Sequence, residues 1–193
     1  MKRLFDLMAS FLGLIILSPL LILIALLVWY QLGRPVFFKQ KRPGLHGKPF
    51  YLIKFRSMTN ETDEKGNLLP NEKRLTRFGK LLRATSLDEF PELINVIMGE
   101  MSLVGPRPLR MRYLKRYNDF QMRRHEVKPG ITGWSQVNGR NALSWDEKFK
   151  LDVWYVDNHT LCLDIKIILI TIYKVFKKEG IAHSNDVAMP EFE

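Results

Sequence analysis

The sequence predicts a mainly helical α+β fold with a small β-hairpin, carried on an N-terminal helix embedded in a membrane. Three observations lead there. Residues 7–33 contain no charged side chain and are broken at their centre by Ser18 and Pro19. Two short runs rich in aromatic and branched residues follow, with turn chemistry between them. Beyond those, apolar residues recur at helical spacing over several segments.

The apolar run is long enough to cross a bilayer, since one crossing takes about 20 residues. Pro19 has no N–H for the carbonyl of Ile15, and its ring crowds that turn, so a kink is predicted there. The Ser18 hydroxyl is a local partner for the freed backbone group. Lys2 and Arg3 precede the run, and Arg34, Lys39, Lys41 and Arg42 follow it. A single span leaves its Lys/Arg excess on one side, whereas here both flanks are basic. A helix that bends at Ser18-Pro19 and returns to the same face fits that pattern. Each arm would be roughly 20 Å long, too short for a hydrocarbon core of about 30 Å. A kinked single span accommodates the proline as well, so the residues alone leave the two topologies level. No Ala-x-Ala-like site follows the run, which argues against a cleaved signal peptide.

Residues 35–39 and 49–56 read as the two strands of the hairpin, separated by the turn-like stretch from Arg42 to Gly47. The polar stretch 59–73 reads as a surface loop. A helix is predicted over 72–83, with Lys73, Arg77 and Lys80 on one face and Leu75, Phe78 and Leu82 on another. A second helix is predicted over 92–98, stopping near Gly99, and a third over 109–126. Residues 128–140 carry loop and turn chemistry. The last pattern, 161–176, is strongly apolar yet interrupted by Asp164, Lys166 and Lys174. It suits an amphipathic helix in the membrane interface as well as one packed on the core. The division expected is a membrane segment over 1–33 and one cytoplasmic domain over 34–193.

Composition narrows the partners. The net charge of +10 over 193 residues suits anionic lipid headgroups, nucleotides or nucleic acid. A single cysteine, Cys162, excludes an internal disulfide framework and suits a cytoplasmic setting. His46, His125, His159 and His183 are scattered, without zinc-ligand spacing.

Four constellations carry chemistry. Asp88 and Glu89 are adjacent carboxylates with Arg77, Lys80 and Arg83 nearby, suiting a nucleophile and a metal ligand beside a phosphate-bearing substrate. A capping box explains the same residues structurally, with Ser86 reaching forward to Glu89 and Pro91 early in the helix. In Val104-Gly105-Pro106-Arg107-Pro108 the prolines would hold Arg107 with its fork open to a phosphate, although a surface turn explains it too. In the 129–141 segment, glycines allow close backbone approach, while Gln136, Asn138 and Arg140 offer polar contacts. Lys54 and Arg56 alternate on one strand and would share a face.

Taken together, the Ser18-Pro19 break, Lys54 to Met58, Ser86 to Glu89, the Arg107 frame and the segment from Pro129 to Arg140 resemble the bacterial sugar transferases of the monotopic phosphoglycosyl transferase family. The resemblance covers nearly the whole chain, and the short length is similar to that of the small, catalytic-core-only members. Among these it is similar to enzymes that transfer phospho-N,N'-diacetylbacillosamine. The resemblance implies transfer of a sugar 1-phosphate from a UDP-sugar, bearing one or two acetamido groups, to undecaprenyl phosphate, with UMP released. It implies a ping-pong reaction through a phosphosugar on Asp88, with Mg²⁺ bound by Glu89. Lys54, Arg56, Arg83, Arg107 and Arg140 are then the expected phosphate contacts and Gln136 a nucleotide contact. Ser18 and Pro19 become the hinge of a re-entrant helix on the cytoplasmic face of a bacterial inner membrane.

Two other functions bear on the same residues. A membrane-tethered glycosyltransferase would move the sugar alone and release UDP. A membrane-anchored nucleic-acid binder is permitted by the charge, but no nucleic-acid motif is present and the cations are spread along the chain, so nucleic acid is not an expected partner.

Overall fold

In the computed structural model, which describes residues 1–139, 143–177 and 191–192, the apolar run forms one helix, α1 (Lys2–Leu32), 31 residues long. Pro19 lies inside it, and the Ser18 hydroxyl donates to the Ile15 carbonyl at 2.7 Å, the group that proline cannot serve. Gly33, in the left-handed region at φ 74°, ends the helix by donating its N–H to Trp29. Along one side, Asp6, Ser10, Ile24 and Val28 are buried, while Phe11, Ile15, Ile16, Leu23 and Leu26 stand exposed on the other.

The buried side is bonded to the rest of the fold at both ends. Lys2 pairs with Asp164 at 2.5 Å, and Arg3 donates to the Val96 and Ile97 carbonyls at 2.6 and 3.0 Å. Asp6 accepts from the Ser102 hydroxyl and the Leu103 N–H. Toward the other end, Ile24 and Val28 pack with Phe55 and Leu82. A helix of this length and composition can cross a membrane. Here it lies along a folded body instead of leaving it.

The hairpin pairs β1 (Phe37–Pro43) with β2 (Pro49–Phe55) antiparallel, Phe37 opposite Phe55 and Pro43 opposite Pro49. The first strand runs four residues past the predicted limit at Lys39. Arg56 falls just beyond the end of β2, so it does not share a strand face with Lys54.

The helix predicted over 72–83 is two pieces, α2 (Asn71–Arg74) and α3 (Arg77–Ala84). The cause is Thr76, whose hydroxyl accepts from the Gly79 N–H and restarts the helix as an N-cap. Gly79 seats α3 on the chain leaving β2, where a Cβ would stand 1.8 Å from the Ser57 carbonyl oxygen. The predicted second helix forms as α4 (Glu92–Met98), closed by Gly99 at φ 86°. The capping box before it does not form: Ser86 is left-handed at φ 56° with no side-chain cap, and 87–89 make a 3₁₀ turn.

Residues 128–139 are more ordered than turn chemistry suggested. β3 (Ser102–Val104) pairs in parallel with a strand over Gly130–Thr132. The glycines mark close backbone approach, since a Cβ on Gly130 would lie 2.0 Å from the Gly105 nitrogen. The long helix predicted over 109–126 is broken into a 3₁₀ turn (Met111–Lys115), α5 (Asp119–Met122) and a second turn (Arg123–His125). An Asn118/Gln121 capping box starts α5 afresh inside the predicted span. The strand at Gly130–Thr132, β4, leads into α6 (Trp134–Asn138) and then α7 (Trp145–Asn158), itself opened by a Ser144/Glu147 capping box. The last helix, α8 (Leu161–Lys177), buries Asp164 and Ile167 while Ile165, Leu169, Ile172 and Tyr173 stay exposed. One apolar side therefore serves the core and another faces outward.

Candidate active site

The site gathers where the 3₁₀ turn before α4 meets β2 and the chain after β3. Pro91 precedes α4, and Asp88 and Glu89 sit in the 3₁₀ turn just before it. Asp88 is buried, and among the described residues its carboxylate makes no hydrogen bond or ion pair. Burial and the neighbouring Glu89 charge raise its carboxyl to about 6, against the pull of Lys54, Arg83 and Arg107.

Glu89 has the opposite surroundings. Lys54 reaches it from β2 at 2.6 Å, and Arg107 pairs with it from the other side. Burial works to raise this carboxyl, but Arg107 and Lys54 overrule it and hold it at about 2. Lys54 also lies 3.1 Å from Glu92 in the first turn of α4. Burial, with the Glu89 charge, lifts Glu92 to about 7 in spite of Lys54.

Further cations surround this acidic group. Arg83, from the end of α3, donates Nε to the Ser57 hydroxyl at 2.9 Å and stands within the field felt by Asp88. Arg42, at the far end of β1, donates to Gln40 at 2.7 Å. Burial and the charges of Arg107 and Arg110 depress it to about 10. The cations outnumber the carboxylates, an arrangement suited to a polyanionic substrate.

The structure thus brings Asp88, Glu89, Lys54, Arg83 and Arg107 together. Arg56 is placed elsewhere: its guanidinium donates to the carbonyls of Arg34, Gly33 and Leu32, capping the C-terminal end of α1. Gln136 turns back on its own segment, with Nε2 donating to the Ile131 carbonyl at 3.0 Å and Oε1 buried without a partner among the described residues. Arg140 lies outside the described residues. Ser18 and Pro19 sit midway along α1, on the helix that carries the site's support and not in the site. Arg42 and Glu92 were missed as site residues. The alternation of Gln40 and Arg42 on a strand was the available signal for the first, and Glu92, one turn beyond Asp88, for the second.

Among the described residues no group of three or more His, Cys, Asp or Glu side chains gathers as a metal site. Hard carboxylate oxygens at Asp88 and Glu89 nevertheless suit Mg²⁺, which is commonly held by one or two carboxylates together with substrate phosphates. The residues fit a shared site of that kind and not a cage made by protein alone.

Comparison with known proteins adds an independent line. The bacterial sugar transferase family profile matches residues 1–178. The chain is 58% identical over 192 residues to the uncharacterized sugar transferase EpsL of Bacillus subtilis, covering 100% of this chain and 95% of that protein. It is 43% identical over 185 residues to a UDP-glucose:undecaprenyl-phosphate glucose-1-phosphate transferase of Klebsiella pneumoniae, covering 91% of this chain and 40% of the other. An undecaprenyl-phosphate galactose phosphotransferase of Salmonella typhimurium is 40% identical over 200 residues, with 93% and 41% covered. The chain spans about two fifths of the length of those last two relatives.

Proposed function

The chain belongs to the bacterial sugar transferase family, and on that footing we propose that it transfers a sugar 1-phosphate from a UDP-sugar to undecaprenyl phosphate, releasing UMP. The observation that carries the reading is the contrast at 88–89: a buried carboxylate with no partner among the described residues beside one neutralised by Lys54 and Arg107.

Asp88 is the nucleophile. Its carboxylate oxygen attacks the β-phosphorus of the donor, the bond to the bridging oxygen breaks, and UMP departs with that oxygen. A phosphosugar is left on Asp88 as an acyl phosphate. An oxygen of undecaprenyl phosphate then attacks the same phosphorus, the acyl–phosphate bond breaks, and the Asp88 carboxylate returns. Covalent catalysis of this kind lets one site serve a soluble donor and a lipid acceptor in turn. Arg83 and Arg107 face the diphosphate and oppose the charge that gathers on it. Lys54 keeps Glu89 and Glu92 from repelling the incoming anion. When bound, Mg²⁺ would be held by Glu89 with donor phosphate oxygens and would supply further charge neutralisation.

The seating of α1 supports a topology in which it does not cross the bilayer. Buried positions at 6, 10, 24 and 28 run along one side of the helix against the folded domain. A crossing of the bilayer by α1 would draw that polar domain into hydrocarbon, at several kcal/mol for each unsatisfied polar group. We place α1 in one leaflet as a re-entrant or surface-lying helix with both ends on the cytoplasmic side, where the Lys/Arg flanks belong. The exposed face of α8 would rest in the same interface.

The named relatives act on glucose and galactose donors by their names, whereas the resemblance in the sequence pointed to an acetamido sugar. A panel of UDP-glucose, UDP-galactose, UDP-N-acetylhexosamines and a UDP-diacetamido sugar, with undecaprenyl phosphate, tests both points at once. UMP release by one donor supports the reading and names the sugar. Release of UDP would assign the alternative, sugar transfer without phosphate.

A further inference from the structure

A buried polar chain behind the site ends on the backbone of Arg107. Arg124, 2% exposed, donates Nε and Nη2 to one oxygen of Asp152 at 3.1 and 2.7 Å. The same Nη2 donates to the Arg107 carbonyl at 2.8 Å. The other Asp152 oxygen accepts from the Ser135 hydroxyl at 2.7 Å. Asp152 and Ser135 are 1% and 2% exposed, so all three groups are removed from water. The guanidinium is held between aromatic rings as well, 5.9 Å from the centre of Tyr117 and 5.7 Å from that of Phe149.

A buried ion pair is weak support for stability, because desolvation offsets much of the attraction; what it contributes more dependably is geometry. The geometry here is that of a segment with few other ties. Arg107 stands between Pro106 and Pro108, neither of which has an N–H to offer. The segment is otherwise fastened by Gly130 N–H to the Pro106 carbonyl and Gly105 N–H to the Thr132 carbonyl. The guanidinium bond acts at Arg107 itself, whose own side chain reaches out to Glu89.

We propose that Arg124 and Asp152 are positioning residues that fix the backbone of Arg107, and through it the place where the Arg107 guanidinium meets Glu89 and the donor diphosphate, with Ser135 fastening Asp152 to α6. The assignment rests on the proposed reading of Arg107 as a diphosphate contact. It connects α7, the 123–125 turn and α6 to one catalytic side chain. Such second-layer support is what holds a reacting geometry to within a fraction of an ångström.

The test is a double-mutant cycle on the full chain in membrane mimetic, using the donor from the panel that releases UMP. Arg124→Lys keeps the charge but loses the fork, Ser135→Ala removes the outer tie, and Arg107→Ala removes the group acted upon. Arg124→Lys is expected to unfold within a few degrees of wild type, lose about tenfold or more in kcat and change KM for the donor little. In the Arg107→Ala background the same change is expected to cost less than about twofold, because its route is already gone. Ser135→Ala is expected to show a smaller loss with the same non-additivity. Equal losses from Arg124→Lys in both backgrounds, or a fully active Arg124→Lys, would overturn the assignment. Full activity of Arg107→Ala, or no UMP from any donor, would strike the reading of Arg107 or of the reaction instead.

Discussion

Lys54 contacts Glu89 at 2.6 Å and leaves Asp88, the next carboxylate back along the chain, without an ion pair among the described residues. Two adjacent acids are thereby given opposite characters by their surroundings, one neutralised and one poised. The first consequence concerns Lys54. Its removal in Lys54→Gln leaves Glu89 and Glu92 close together with only Arg107 to offset them. UMP release is expected to fall by about 100-fold, the scale of one buried electrostatic contact to a reacting centre. Steady-state kinetics beside a thermal melt would separate that loss from unfolding. Wild-type turnover would contradict it.

Arg56→Gln separates two roles for one arginine. Its guanidinium caps α1 through three backbone carbonyls. Loss of charge-assisted bonds at a buried helix end is expected to destabilise the fold by roughly 2–3 kcal/mol. The surviving folded enzyme should keep its KM for the donor. A raised KM with an unchanged melting temperature would return Arg56 to the phosphate contacts expected from the sequence.

Gly130→Ala is expected to be severe, because the new methyl would stand 2.0 Å from the Gly105 nitrogen and 2.4 Å from the Thr132 oxygen. Backbone cannot move aside as a flexible side chain can. A loss of roughly 3 kcal/mol or more is expected, comparable with the larger core lesions. Gly66→Ala is a milder control: its φ of 80° is strained for alanine, yet nothing stands within 4 Å. Melts of the two variants would compare them directly.

His125 sets a pH dependence of stability. Its ring is buried, Nδ1 faces the Gly44 carbonyl at 3.2 Å and Nε2 has no partner among the described residues. Burial, with the Arg124 charge, lowers its pKa from 6.5 to about 4. The unfolded chain therefore binds the proton more tightly, so stability is full above 6.5 and is lost as pH falls toward 4. The loss at pH 5 should be about 2 kcal/mol. Denaturant titrations at pH 7.5 and 5, compared with His125→Phe, should show this part of the slope vanish in the variant.

Topology is tested by single cysteines. With Cys162 replaced by alanine, cysteines at positions 2 and 39 should both be labelled by an impermeant reagent only from the cytoplasmic side. Labelling of either from the opposite side would make α1 a span.

Much of the fold was legible where local chemistry decides it. The apolar run, the Ser18 hydroxyl on the Ile15 carbonyl, the hairpin and the Gly99 stop all follow from residue types at short range. Longer patterns failed where a capping side chain interrupts a periodic stretch, as Thr76 and Asn118 do. The Ser144/Glu147 box was the visible signal for α7, a helix the pattern reading passed over. Gly105 and Gly130 read as turn residues because a close crossing of two strands leaves the same glycine mark as a loop. In the site, the acidic pair and its cations could be picked out as residues, and their meeting follows only from the fold. Arg56 shows the limit: an arginine two places from a site residue looks the same in sequence whether it meets a phosphate or a helix end. Arg124 and Asp152 are 28 positions apart and carry no local signal of their contact.

The central claim is that Asp88 carries the phosphosugar between donor and acceptor. Its most direct measurement is the intact mass of the protein after incubation with the productive UDP-sugar and Mg²⁺ in the absence of undecaprenyl phosphate. The account predicts a gain equal to one sugar phosphate less water, mapped by fragmentation to Asp88, absent from Asp88→Asn and discharged when undecaprenyl phosphate is added. An active wild type that shows no adduct under rapid quench, or an Asp88→Asn variant that turns over fully, would contradict it.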